Sequence, residues 1–375
     1  MSKTHHIALQ VLSIVLIFSG LALRGYAQET KETKAAQAAK IKALIEKLDD
    51  PNDGVRRPAV VELVKLGSPA VQPLIARIKT DKETDHPYGF VYSLDALKRI
   101  GSPAVEPLIA VAKDKNSFVT RHFVISALGE INDKRAVQSL IDLLKDEDRS
   151  VCSKAIRILE RKGSKQAIQP LVDLVLNGKV DSIRKDAAKA LSKIGDRQTL
   201  KSLIHALKND LKSEDKTIRK TTIEILGYIG DPQATEPLLA ALKDKEISVR
   251  ESAIGALGNV GSLQAVEPLI ATLKDENASI RKSAVYSLGQ ICDKRAIEPI
   301  IAALKDKNKD VRRSAAWMLG SFRDQRAVKP LTDALQDEDV RVREAAARSL
   351  DWIERMQKAL EQIEKMQDSL RNMKP

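Results

Sequence analysis

The chain repeats itself about every 31 residues, and this constrains its fold more than any other feature. VRESAIGALGNVGSLQAVEPLIATLKDENAS is followed by IRKSAVYSLGQICDKRAIEPIIAALKDKNKD, then by VRRSAAWMLGSFRDQRAVKPLTDALQDEDVR. Pro237, Pro268, Pro299 and Pro330 keep one step, and so do Arg219, Arg250, Arg281, Arg312 and Arg343. A fixed period of this size means stacked supersecondary units, none of which buries its apolar face alone.

Each unit reads as two helices. In the first, Val266, Leu269, Ile270 and Leu273 follow helical spacing, and the second carries Val249, Ala253, Ala256, Leu257 and Val260 on one stripe. Period-2 alternation is not sustained anywhere, so strands are not expected. Aligned on the second helix, ten copies begin at Val55, Gly89, Thr120, Val151, Ile183, Ile218, Val249, Ile280, Val311 and Val342. A leucine stands eight residues on in each, from Leu63 to Leu350, as a buried knob should. Gly129, Gly227, Gly258, Gly289 and Gly320 follow that leucine. Glycine inside a helix costs about 1 kcal/mol, so its recurrence there predicts close helix contact. Asp196 and Asp231 stand where N-caps belong. The prolines fall in the first turn or two of the first helix, where they are either tolerated or bend it. The expected fold is all-α: a right-handed α-solenoid of about ten helix hairpins.

The pattern D…VR..AA.ALG.IGD..AVEPLI.ALKD resembles HEAT repeats, in particular the short kind found in phycobilisome lyases, over residues 41–354. The resemblance implies the fold, with second helices lining a concave surface. It also implies an Asp/Arg ladder between successive repeats. Arg56, Arg121, Arg184, Arg219, Arg250, Arg281, Arg312 and Arg343 stand second in their helices. Asp50, Asp146, Asp244, Asp275, Asp306 and Asp337 precede the next second helix by five residues. Function is less constrained, because the family holds chromophore lyases, a di-iron hydroxylase, DNA-repair glycosylases and plain scaffolds.

The N-terminus reads as a secretory signal over residues 1–27. MSKTHH precedes the apolar IALQVLSIVLIFSGLAL, and Gly25 and Ala27 stand at −3 and −1 of a cut before Gln28. An uncleaved anchor is the alternative, although Gln10, Ser13, Ser19 and Gly20 interrupt the apolar stretch. The expected location is therefore periplasmic or extracellular. Residues 28–40 read as a linker or a frayed helix start, and 355–375 as a helical extension. In that extension Ile353, Met356, Leu360, Ile363, Met366, Leu370 and Met373 form a seam that either caps the stack or pairs with another chain. Residues 80–88 and 209–216 lengthen two repeats. Cys152 and Cys292 lie four repeats apart, beyond disulfide reach.

Chemistry is sparse. His86, His122 and His205 lie in three different repeats, and there is no HExxH, no CxxC and no His-Glu dipeptide of the di-iron kind. No catalytic, cofactor or metal residue is nominated, and the expected role is non-enzymatic. Loss of the signal, with Lys3 and Arg24, leaves 61 basic against 51 acidic side chains, a net +10. That charge favours an acidic partner. It also keeps a polyanion-binding solenoid as a rival, beside a lyase-like enzyme, with nucleic acid the less favoured ligand.

The non-repeating positions carry the binding expectation. Positions 3, 7 and 11 of the second helix share a face away from the leucine. Aromatic residues are only 3 % of the chain, yet Tyr228, Tyr286, Trp317 and Trp352 stand on this stripe. Aromatic and arginine side chains are favoured interface anchors. The expected partner surface is therefore Tyr228, Lys282, Tyr286, Arg313 and Trp317, taking a protein. N-terminal sequencing of the exported form is expected to begin at Gln28, and a full-length N-terminus in a cytoplasmic fraction would refute export.

Overall fold

A computed structural model describes residues 33–80, 88–115 and 118–372. The signal-like segment, residues 81–87 of the 80–88 insertion and Met373 lie outside the described residues, as do the side chains of Leu360, Met366 and Leu370. Every regular element among the described residues is a helix.

Two compact units divide the chain, one ending at Lys162 and the other starting at Gly163. The first contains α1 (33–46), α2 (Asp53–Leu66), α3 (Ser68–Thr80), α4 (Tyr88–Ile100), α5 (Val105–Lys113), α6 (Phe118–Glu130), α7 (Lys134–Asp142) and α8 (Arg149–Arg161). The second contains α9 (Ile168–Asn177), α10 (Asp181–Ile194), α11 (Arg197–Leu207), α12 (Lys216–Ile229), α13 (Thr235–Ala241), α14 (Ile247–Val260), α15 (Val266–Thr272), α16 (Ala278–Ile291), α17 (Ile297–Ala303), α18 (Lys309–Phe322), α19 (Val328–Ala334) and α20 (Val340–Asn372). The stretch 28–40 is thus helical from residue 33, and Ile41 and Leu44 of α1 are buried. The lengthened connection at 209–216 forms a 3-10 turn, Asp210–Lys212, before Asp215 caps α12.

Helix ends follow the local chemistry. Asp196 accepts the Thr199 N–H at 2.7 Å and Asp231 accepts that of Gln233 at 2.8 Å, so both aspartates are N-caps. The first helices of the C-terminal repeats are shorter than their apolar spacing suggests. A 3-10 turn, Leu263–Ala265, leads into only seven α-helical residues, and Pro268 is the third of them. Its missing N–H has no intrahelical acceptor to lose, so the proline is tolerated rather than bending the helix. The helix then tightens into i→i−3 bonds, Leu273 N–H to Ile270 at 3.1 Å and Asp275 N–H to Thr272 at 3.2 Å. That closing turn carries the chain into the next second helix.

The leucine series forms the spine of each unit. Leu63, Leu97, Leu128 and Leu159 in the first unit are fully buried, and so are Leu191, Leu226, Leu257, Leu288 and Leu319 in the second. Burial of each is worth about 1.5–3 kcal/mol. Leu350 of α20 is half-buried. Where a glycine follows the leucine, it is a contact point. A Cβ on Gly227 would stand 2.8 Å from the Ala256 Cα of the next second helix. On Gly129 it would meet Ile158 at 2.6 Å, and on Gly320 the Ser349 Cβ at 2.9 Å. Ser287 and Ser349 reach back across the same joint and donate to the carbonyls of Ile254 (2.9 Å) and Ala316 (2.8 Å).

The arginine ladder is present where the resemblance placed it, with exceptions. Arg281 donates through Nε and Nη2 to both carboxylate oxygens of Asp306, each at 2.7 Å, and through Nη1 to the Asp275 and Glu276 carbonyls. Arg219–Asp244 and Arg312–Asp337 repeat this fork, and Arg121 bonds Asp146. Arg250 departs from the pattern: it binds the Asp244 carbonyl at 2.8 Å, and among the described residues it forms no ion pair with Asp275. Phe90 stands where a ladder arginine belongs, and a separate bridge is made by Arg77 of α3, which holds Asp49 at 2.6 Å. A Cβ on Gly89 would crowd both the Asp49 carboxylate and the Arg77 guanidinium of this bridge.

Two glycines of the second unit should respond oppositely to one substitution. Gly227→Ala forces a Cβ into backbone and is expected to cost about 1–3 kcal/mol. Gly255→Ala, where nothing lies within 4 Å, is expected to gain up to about 1 kcal/mol. Urea denaturation of both variants checks the contrast.

Candidate binding site

The stripe at positions 3, 7 and 11 is built by second helices whose opposite face is pinned by leucine and glycine. Its side chains therefore point away from the core. On α16, α18 and α20 it presents three aromatic residues. Tyr286 is 52 % exposed, Trp317 51 % and Trp352 50 %. Half-exposed rings of this size are unusual in a protein so poor in aromatic residues.

Trp317 stands between two clefts. One, of about 370 Å³, is lined by Tyr286, Arg313, Trp317, Arg341, Glu344 and Arg348, among others. The other, of about 400 Å³, runs from Trp317 over Gly320 and Ser349 to Trp352. The glycine that permits close helix approach is also what leaves the floor of the second cleft low. The Arg323 guanidinium lies 5.9 Å from the Trp352 ring centroid, a cation–π distance at the cleft's edge.

The charge around these clefts is mixed. Arg313 pairs with Asp310 at 3.3 Å, and Arg348 with Glu344 at 3.7 Å. Arg341 hydrogen-bonds Asp339 and holds that carboxyl down at about 2, despite some opposing burial. Lys282 is exposed and one turn before Tyr286, but it lines neither cleft.

Tyr286, Arg313 and Trp317 are thus brought together. Tyr228 is not among them: it is half-buried on α12, with the Lys189 ammonium 4.2 Å above its ring. Arg348 and Arg341 line the cleft without having been nominated. Arg348 shares position 7 with Tyr286 and Trp317, so the register itself would have found it. Arg341 lies just before the stripe begins, and no periodic signal marks it. Among the described residues no group of three His, Cys, Asp or Glu side chains could hold a metal ion. Cys152 and Cys292 are both free thiols. No helix among the described residues is long and apolar enough to cross a membrane.

The family model for HEAT repeats matches residues 83–156, 140–213, 210–289, 266–351 and 297–371. The chain is a HEAT-repeat protein. As an all-α HEAT solenoid it has a fold of the protein-binding type, one that is generally not catalytic. Yeast importin-β, Kap95p, is similar at 14 % identity over 85 % of this chain and 51 % of its own, with a TM-score of 0.54. A Kap95p structure concerned with RanGDP gives 13 % identity, 84 % and 50 % coverage and a TM-score of 0.56. This HEAT chain therefore spans about half the length of the importin-β structures it matches, and at such identities the likeness is one of fold. The CpcE–CpcF complex of phycocyanin lyase from Nostoc is 19 % identical over 58 % of this chain and 93 % of that one, with a TM-score of 0.38. No curated protein matches the sequence.

Proposed function

We propose that this HEAT-repeat protein is an exported, non-enzymatic scaffold that holds a helical segment of a protein partner against α16, α18 and α20. The observation carrying this reading is Trp317: a half-exposed tryptophan set between two clefts, with Tyr286 and Trp352 at their far sides. Large rigid rings beside apolar recesses are what interface hot spots are made of. Adjacent repeats place equivalent residues roughly 10 Å apart, a helix-packing distance. Two residues seven apart on a partner helix are separated by about 10.5 Å, so one apolar side chain can enter each cleft.

Arg313, Arg348 and Lys282 edge this surface, and the mature chain's excess of basic groups favours a partner segment carrying acidic residues. Export rests on the N-terminal pattern ending at Ala27, and the partner is accordingly placed in the periplasm or outside the cell.

Affinity capture with the mature protein from the envelope fraction, followed by mass spectrometry, supplies the partner. The Tyr286→Ala, Trp317→Ala double variant should keep wild-type circular dichroism, since both rings are already half in water. It should bind the captured partner at least about 30-fold more weakly, as loss of hot-spot side chains requires. Unchanged affinity in the folded double variant would refute this site.

A further inference from the structure

Several cations of the 3, 7 and 11 stripe are neutralised within the fold. Arg99 pairs with Asp95 at 3.7 Å, Lys185 with Glu224, and Arg313 and Arg348 with the carboxylates already named. A cluster on and beside this stripe is not, and it lies wholly in the first unit, whereas the proposed partner surface belongs to the second. Lys154, Arg157 and Arg161 occupy one face of α8 at i, i+3 and i+7, and no carboxylate pairs with any of them among the described residues.

Arg157 and Arg161 are exposed, and Lys154 is half-buried. The position Lys154 occupies is held by Ser252, Ser283 and Ser314 in later repeats, so packing does not call for a long cation there. Burial pushes the Lys154 ammonium below its usual range, and repulsion from Arg157 and Arg161 pushes it further. His122, on the packed helix α6, is held low by burial and then by Lys154, with Arg157 and Arg121 adding to this and Asp148 opposing it. Lys154 and His122 are thus gathered beside two arginines whose charges disfavour their own.

We propose that Lys154, Arg157, Arg161 and His122 form a site for the dianion of a phosphate monoester. Side chains three and four apart on a helix are about 5–6 Å apart at Cβ and can converge on one group. A carboxylate neutralises a single positive charge. A phosphate monoester carries close to two negative charges and offers three acceptor oxygens, enough for two guanidinium forks and an ammonium. Binding it removes the mutual repulsion, so the Lys154 and His122 cations become easier to form. The site does not depend on the Tyr286–Trp317 surface.

The test follows the His122 imidazole signal of the mature chain by NMR, assigned by its loss in His122→Gln. O-phosphoserine and glucose 6-phosphate are the probes, representing a phosphorylated protein and a phosphorylated sugar. Saturable binding of either supports the site, and the tighter of the two identifies its source. The His122 pKa should rise on saturation. Arg157→Gln with Arg161→Gln should weaken binding at least about tenfold, whereas Lys307→Gln with Lys329→Gln, an equal loss of exposed charge elsewhere, should change it less than about twofold. Equal weakening by both pairs, a His122 signal that does not respond, or tighter binding of hexaglutamate than of either phosphate would overturn the proposal.

Discussion

A guanidinium buried at the joint between two repeats must be neutralised there, and the stacking of both units is organised around that requirement. Arg281 is 5 % exposed and reaches across to Asp306 of the next repeat with both forks matched. Asp306 also accepts the Asn308 N–H at 2.8 Å, and Asn308 caps α18. One bridge therefore sets three things: the spacing between repeats, the turn that ends the first helix, and the starting residue of the next second helix. Replacing such pairs with apolar residues is often nearly neutral overall, so their value is in register more than in net stability. Net stability comes from the leucine spine.

Register decides what reaches the surface. If the leucine and glycine of a second helix face the next repeat, positions 3, 7 and 11 must face elsewhere. Evolution can then vary them without disturbing the core. Tyr286 and Trp317 stand in water because Leu288 and Leu319 two residues on are buried. The free cations of α8 follow the same rule, since Leu159 is fully buried while Arg157 and Arg161 are not.

Much of this was readable from the 31-residue period. The leucines, the contact glycines, the aspartate caps and most ladder pairs are repeated, and repetition is what a single sequence shows best. Departures were not readable. The Arg77–Asp49 bridge outside the ladder and Arg250 leaving Asp275 are choices among partners a few ångströms apart, which periodicity does not encode. First-helix length was overestimated because apolar spacing continues through the 3-10 turns. At the candidate site the exposure of Tyr286 and Trp317 followed from register. The partial burial of Tyr228 under Lys189 depended on one neighbour's side chain. Arg341 was invisible because it lies outside the repeat's variable positions.

The central claim is that the Arg–Asp bridge couples successive repeats, and a double-mutant cycle on Arg281 and Asp306 tests it directly, with Arg281→Met, Asp306→Leu and both. The Arg281 hydrogen bonds hold the Asp306 carboxyl below its usual range, against some opposing burial. Its contribution is therefore complete above the unfolded carboxylate value near ~3.9 and is lost as pH falls through the lower native value. At pH 7 the single variant that strands the arginine should cost about 3 kcal/mol and the double variant much less, a coupling of about 2 kcal/mol or more. That coupling should shrink in acid. Additive effects at pH 7, with no dependence on pH, would contradict the account.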